Sequence, residues 1–338
     1  MNVSLKLRTS LILGIVGAAL IFLMSACAGN PGETAAISPS SQESTGEEQV
    51  IIENMGEKLM FTEPPKRAVT LNQHATEVML ALGLEQYMVG TAYLDDQILP
   101  EYKKQYDSIP VLSEEYPSQE VFYSANPDFA YAGWTSAFTE KTLGSRAELA
   151  EQGVYTYVQE SSNKPSPSLE NVYQDILNIG RIFRVEERSQ ALVDEMQREV
   201  EQIQDSIGTV SEPIKVFVYD SGEDTAFTAA NTYLTSLINV AGGKNIFDDI
   251  EKSWATVSWE EIVNRNPDVI VIVDYGSTSV EEKKALLLGK AALADVTAIK
   301  NKHFVVLPLS AAAEGIRAPM ALSTLASGFY PDKTKEIK

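Results

Sequence analysis

The sequence predicts an α/β protein of two lobes, with mainly parallel sheets, joined by a long connecting helix. Three observations carry that prediction. Short apolar runs alternate with helical spacing in both halves of the chain, an extended helical pattern separates the halves, and a nine-residue phrase recurs in each. The 338 residues, 44% of them hydrophobic, suffice for two cores.

The elements follow in order. Val50-Ile51-Ile52, a turn at Gly56 and Lys58–Phe61 read as a hairpin, which Pro64-Pro65 ends. Arg67–Leu71 is a short buried-type strand, and Thr76–Leu82 has helical spacing up to Gly83. Met88–Thr91, Pro127–Ala132 and Val154–Val158 are strand candidates, giving an N-terminal lobe over residues 50–165. After the Ser/Pro-rich break at 161–168, Leu169, Val172, Ile176, Ile179 and Phe183 share one helical face. The pattern continues through Leu192, Met196 and Val200 with a kink expected near Arg184–Glu186, so a connecting helix is assigned to 166–208. A C-terminal lobe over 209–338 holds strands at Lys215–Tyr219, Val269–Val273 and Phe304–Leu307 and a helix at Tyr233–Ala241.

The recurring phrase is Glu, five residues, then Asn-Pro-Asp and an apolar strand. It runs from Glu120 to Asp128 and from Glu260 to Asp268. A residue before proline avoids the α region, so each asparagine ends a helix. Each glutamate then falls in the first turn, where a carboxylate suits the helix dipole.

The first 26 residues differ from the rest. Lys6 and Arg8 precede an apolar run of 14 residues, Leu11–Met24, too short to cross a hydrocarbon core of about 30 Å comfortably. A signal peptide fits better. Met24-Ser25-Ala26-Cys27 resembles a bacterial lipobox, which implies lipidation of Cys27, the single cysteine, and excludes a disulfide within the mature chain. Residues 27–49, poor in large apolar side chains, are expected to be a flexible tether. The formal charge of −20 becomes −22 once the leader with Lys6 and Arg8 is removed. Such a chain is repelled by phosphate backbones, which argues against a nucleic-acid partner.

Lys58-Leu-Met-Phe-Thr-Glu-Pro-Pro-Lys-Arg-Ala-Val-Thr-Leu71, with Ala75-Thr76-Glu77 and Leu80-Ala81-Leu82-Gly83 after it, resembles the start of a class of periplasmic solute-binding lipoproteins. These are the iron-siderophore and vitamin B12 receptors of ABC transporters. Ala241–Phe247 and Trp254–Ser258 look like the second-lobe signature of that family, and the resemblance covers roughly residues 50 to 330. It implies a ligand cleft between two α/β lobes, no enzymatic activity, no resident cofactor and a monomer held at the outer face of the membrane by its lipid. It also implies two partners, an ABC permease and its ATPase, with a ferric siderophore as ligand and a corrinoid or haem as the alternative.

Residue by residue, the family's permease-docking glutamates fall on Glu120 and Glu260, with Glu261 the neighbouring alternative. Ligand contacts are expected from loops at the carboxyl ends of the strands. Tyr93 and Trp254 match aromatic positions that contact ligand in B12-binding relatives, and Trp134 lies one residue beyond another. Tyr219 ends a strand, and Arg317, after Gly315, falls where siderophore binders carry an arginine able to pair with an anionic chelate. Arg146 is a further arginine of that kind. His74 sits among the pocket loops as a contact residue, not as a metal ligand, because His303 is the sole other histidine and no cluster has metal-ligand spacing. The chain has no Gly-x-Ser-x-Gly elbow, His-Glu-x-x-His helix or phosphate loop. An enzyme on a two-lobed scaffold, or a receptor for free zinc or manganese, remains as a competing class.

Overall fold

The computed structural model describes residues 49–335. The expected signal peptide, Cys27 and nearly all of the tether lie outside the described residues. Among the described residues, no helix is long and apolar enough to cross a membrane.

Strands β1 (Val50–Asn54) and β2 (Glu57–Phe61) form an antiparallel hairpin. Its two-residue turn is Met55-Gly56, both at positive φ (52° and 78°), the primed geometry that matches strand twist. The first lobe is a five-stranded parallel sheet of β3 (Ala68–Leu71), β4 (Met88–Ala92), β5 (Val111–Ser113), β6 (Phe129–Ala132) and β7 (Tyr155–Val158). Their spatial order is β5-β4-β3-β6-β7. Asn54 covers the outer edge of that sheet as a surrogate strand. Its Oδ1 accepts the Val158 N–H at 2.8 Å while its Nδ2 donates to the Val158 carbonyl at 2.7 Å.

The second lobe is a parallel sheet of β8 (Ile214–Tyr219), β10 (Gly243–Asn245), β12 (Val269–Asp274) and β13 (Phe304–Pro308), ordered β10-β8-β12-β13. Beside it, β9 (Ala226–Ala229) and β11 (Trp254–Val257) make a small antiparallel pair. In both lobes the central strands are buried on both faces, as parallel strands sandwiched by helices must be.

The connector contains two helices, Leu169–Ile182 and Glu186–Ile207. The expected kink is a break: Arg184 sits at φ 58°, which no right-handed helix tolerates. Gly180 allows Ser189 to pack directly against the preceding helix, where a Cβ would collide with it. One apolar core runs without interruption from Val78 and Met79 of the helix Gln73–Ala81, through Ile176, Ile179 and Met196, to Val216, Val271 and Leu325. The lobes are therefore welded along the connector and face each other across the remaining gap.

The repeated phrase is a structural repeat. Asn126 and Asn266 both adopt positive φ (49° and 44°), ending the helices Gln119–Ser124 and Trp259–Arg265. Asp128 accepts the Lys66 and Arg67 N–H groups at 2.9 Å, and Asp268 accepts that of Lys215 at 3.0 Å. Each aspartate thus fixes the entry of its lobe's first sheet strand. The repeat also begins two residues earlier than the glutamates, because Ser118 and Ser258 are the two N-caps.

Candidate ligand cleft

The carboxyl ends of β6 and β7 face those of β9 and β13, and the amino end of β11, across the gap. There a cleft open to solvent has a cavity volume of about 230 Å3. Trp134 and Ser162 line it from the first lobe, and Asn231, Tyr233, Trp254, Leu309 and Glu314 from the second. Trp254 is 37% exposed and stacks nearly parallel on Phe227, with ring centroids 5.5 Å apart, which holds the indole in place at the cleft. Trp134 rests edge-on against the buried His74 ring at 4.9 Å. Gly133 makes that possible, since a side chain there would strike His74.

The loop after β7 is held from below. Asp175, on the first connector helix, accepts the Tyr157 hydroxyl at 2.6 Å and the N–H groups of Glu160 (3.0 Å) and Ser161 (2.9 Å). This fixes Ser162, whose Oγ lies 3.3 Å from His74 Nε2. Gln159 extends the cross-lobe contact by donating to the Glu314 carbonyl. His74 Nδ1 has no partner among the described residues, so no carboxylate orients the imidazole as a hydrolytic relay requires. The Tyr233 hydroxyl, buried in the cleft wall, likewise has no partner among the described residues.

Burial pushes His74 down to about 4, against a smaller opposing effect of its contact with Gly133. Burial pushes Glu314 up to about 7, partly offset by the hydrogen bonds it accepts and reinforced by Asp175. The two act in opposite senses on stability. His74 binds its proton more readily unfolded, so stability is lost as pH falls from about 6.5 towards 4. Glu314 binds its proton more readily folded, so its contribution is full below about 4.5 and is lost as pH rises through 7. Between 4.5 and 6.5 the slopes oppose each other. The variant Glu314→Gln is therefore expected to gain stability relative to wild type with rising pH over that window, by up to about 1.4 kcal/mol per pH unit. Urea unfolding at pH 5.0 and 6.0 measures this; identical slopes for the two proteins would refute it.

Of the seven expected contact residues, Trp134 and Trp254 line the cleft and His74 lies directly behind Trp134 and Ser162. Tyr93 stands beyond the lining, at φ 60° and edge-on to Tyr116 at 4.7 Å. Three assignments are corrected. Arg146 is bound to the hairpin and β7 through the Asn54 carbonyl (3.1 Å), Asn54 Oδ1 (3.0 Å) and Thr156 Oγ1 (2.9 Å), away from the cleft. Tyr219 is a core residue, 2% exposed, its hydroxyl turned to the Gly222 carbonyl. Arg317 is buried in an ion pair with Glu77, at 2.8 Å and 2.5 Å, and also donates to Ser310 Oγ and the Gln97 carbonyl. Glu120 and Glu260 are exposed, each in the first turn of its helix. Ser162, Tyr233 and Glu314 went unread in the sequence. The strand-end rule points to Ser162, four residues after β7, and Glu314 adjoins the Gly315-Ile316-Arg317 loop that follows β13.

A family model described as periplasmic binding protein matches residues 69–311. An uncharacterised ABC transporter substrate-binding lipoprotein of Bacillus subtilis (strain 168) is 26% identical over 321 residues, covering 94% of this chain and 96% of its own. The vitamin B12-binding protein of Pectobacterium atrosepticum is 24% identical over 213 residues, 62% of this chain and 71% of its own. Among solved structures, a periplasmic binding protein from Veillonella parvula superposes with a TM-score of 0.78 at 32% identity, covering 84% of this chain and 98% of that one.

Proposed function

The chain belongs to the periplasmic binding protein family, and from that premise we propose that it captures a ferric siderophore in the cleft and hands it to its importer from a lipid anchor outside the cytoplasmic membrane. It is the substrate-binding component of an ABC importer. The observation that carries the ligand reading is the cleft itself, with Trp134 supplied by one lobe and Trp254 by the other. Two indoles on opposite walls suit a broad ligand with flat or apolar faces, and the Ser162, Asn231 and Thr232 side chains suit one with polar edges. Among the described residues no cluster of histidine, cysteine and carboxylate side chains suits a bare metal ion, so the iron would arrive inside its chelate. A corrinoid in the same role is the second reading, favoured by the similarity to a vitamin B12-binding protein.

Titration calorimetry and tryptophan fluorescence test this. Ferric chelates are expected to quench the wild-type protein, and free ferric, zinc or manganese ions are not. Trp134→Phe and Trp254→Phe are each expected to weaken binding about tenfold, the loss of about 1.4 kcal/mol of stacking. Undiminished affinity in the double variant would place the ligand elsewhere.

A further inference from the structure

Charge in the cleft narrows the ligand class, an inference that rests on the receptor reading above. Two arginines were candidates to balance an anionic ligand, and neither reaches the cleft. Arg317 is closed into its pair with Glu77, and Arg146 is consumed by Asn54 and Thr156. Lys164 is the one cation in the cleft lining, and Glu160 already lies 3.4 Å from its Nζ. The lining also holds a carboxylate, Glu314. The remaining polar groups are uncharged, namely Ser162, Asn231, Thr232, Tyr233 and Ser253.

We infer that this cleft selects a ligand without net negative charge, a neutral ferric chelate or neutral corrinoid, and discriminates against polyanionic chelates such as a ferric tris-catecholate. An anion entering a partly desolvated wall needs a cation or an array of donors to replace its water, and the lining offers one already neighboured lysine. It would also meet Glu314 as a like charge whenever that group is ionised. A neutral ligand meets neither cost and can use the hydroxyl and amide groups. The burial that raises Glu314 to about 7 agrees with a wall poor in compensating positive charge.

The experiment compares three probes, the two ferric chelates of similar bulk, against the full folded chain at pH 7.5 and low salt. These are a neutral ferric trihydroxamate, a neutral cyano-corrinoid and a trianionic ferric tris-catecholate. At least one neutral probe is expected to bind about tenfold or more tightly than the trianion, a difference of about 1.4 kcal/mol. Which neutral probe binds separates chelate from corrinoid, and either supports the inference. In Glu314→Gln the preference for neutral over anionic probes is expected to shrink several-fold, and added salt should shrink it in the wild type. A trianion bound as tightly as both neutral probes, or more tightly, overturns the charge assignment while leaving the receptor reading intact. Failure of all three probes to bind overturns the receptor reading and this inference with it.

Discussion

Changing Glu120 and Glu260 together to alanine is expected to cut importer-dependent uptake on the order of a hundredfold while leaving ligand affinity unchanged. Both carboxylates are exposed at the second position of a helix that follows a serine cap, one on each lobe, in a repeat that extends into the adjoining strand entry. Two equivalent acidic points on two similar lobes suit a permease built on two-fold symmetry. A charge-assisted bond to an arginine fork contributes about 1.5–3 kcal/mol, so losing both weakens docking by two or more factors of ten. Neither glutamate lines the cleft, which separates the two readouts. Glu261 provides the control. It closes a capping box with Ser258, so Glu261→Ala should lower stability by about 1 kcal/mol and spare uptake. Uptake by reconstituted importer and calorimetric affinity decide the matter. Lost affinity in the double variant, or undiminished uptake, would remove the docking role from this pair.

What the sequence exposed and what it hid have physical reasons. Strands such as Val269–Asp274 were legible because a parallel strand buried on both faces is a continuous apolar run. The strands Ala226–Ala229, Gly243–Asn245 and Trp254–Val257 were not, since their alanines, glycine and threonines carry no such signal. The Asn-Pro-Asp repeat was legible as a helix stop, but the role of Asp128 and Asp268 in holding a neighbouring strand depends on contacts about 60 and 50 residues distant in sequence. Trp134 was legible from the strand-end rule, while Trp254, which opens its strand instead of following one, was legible only from the family resemblance. That rule supplies position without direction, and direction is where the arginines failed. Whether Arg317 faces ligand or Glu77 depends on a partner 240 residues away, chosen by the packing of one lobe on the other.

That partnership yields the second large expected effect. Glu77 belongs to the first lobe and Arg317 to the second, and both side chains are almost fully buried, at 1% and 6% exposure. Arg317→Ala is expected to destabilise the protein by about 3–5 kcal/mol, because it leaves a carboxylate inside the protein without a cation. The neighbouring donors, Gln73 Nε2 and the Leu99 N–H, both at 3.2 Å, replace little of that charge. Glu77→Ala should cost less, because Arg317 keeps Ser310, the Gln97 carbonyl and the half-exposed Asp96 carboxylate at 3.6 Å. The double variant Glu77→Leu with Arg317→Met, apolar and of similar volume, should recover most of the loss, since both desolvation costs vanish together. Urea unfolding of the four proteins at pH 7 gives the cycle. A loss below about 1 kcal/mol in Arg317→Ala would show that water reaches the pair and that the ion pair does not clamp the lobes. The pair ties the first lobe to the second beside the connector, where Arg317 shares a surface hollow with Leu192 and Met196 of the second connector helix.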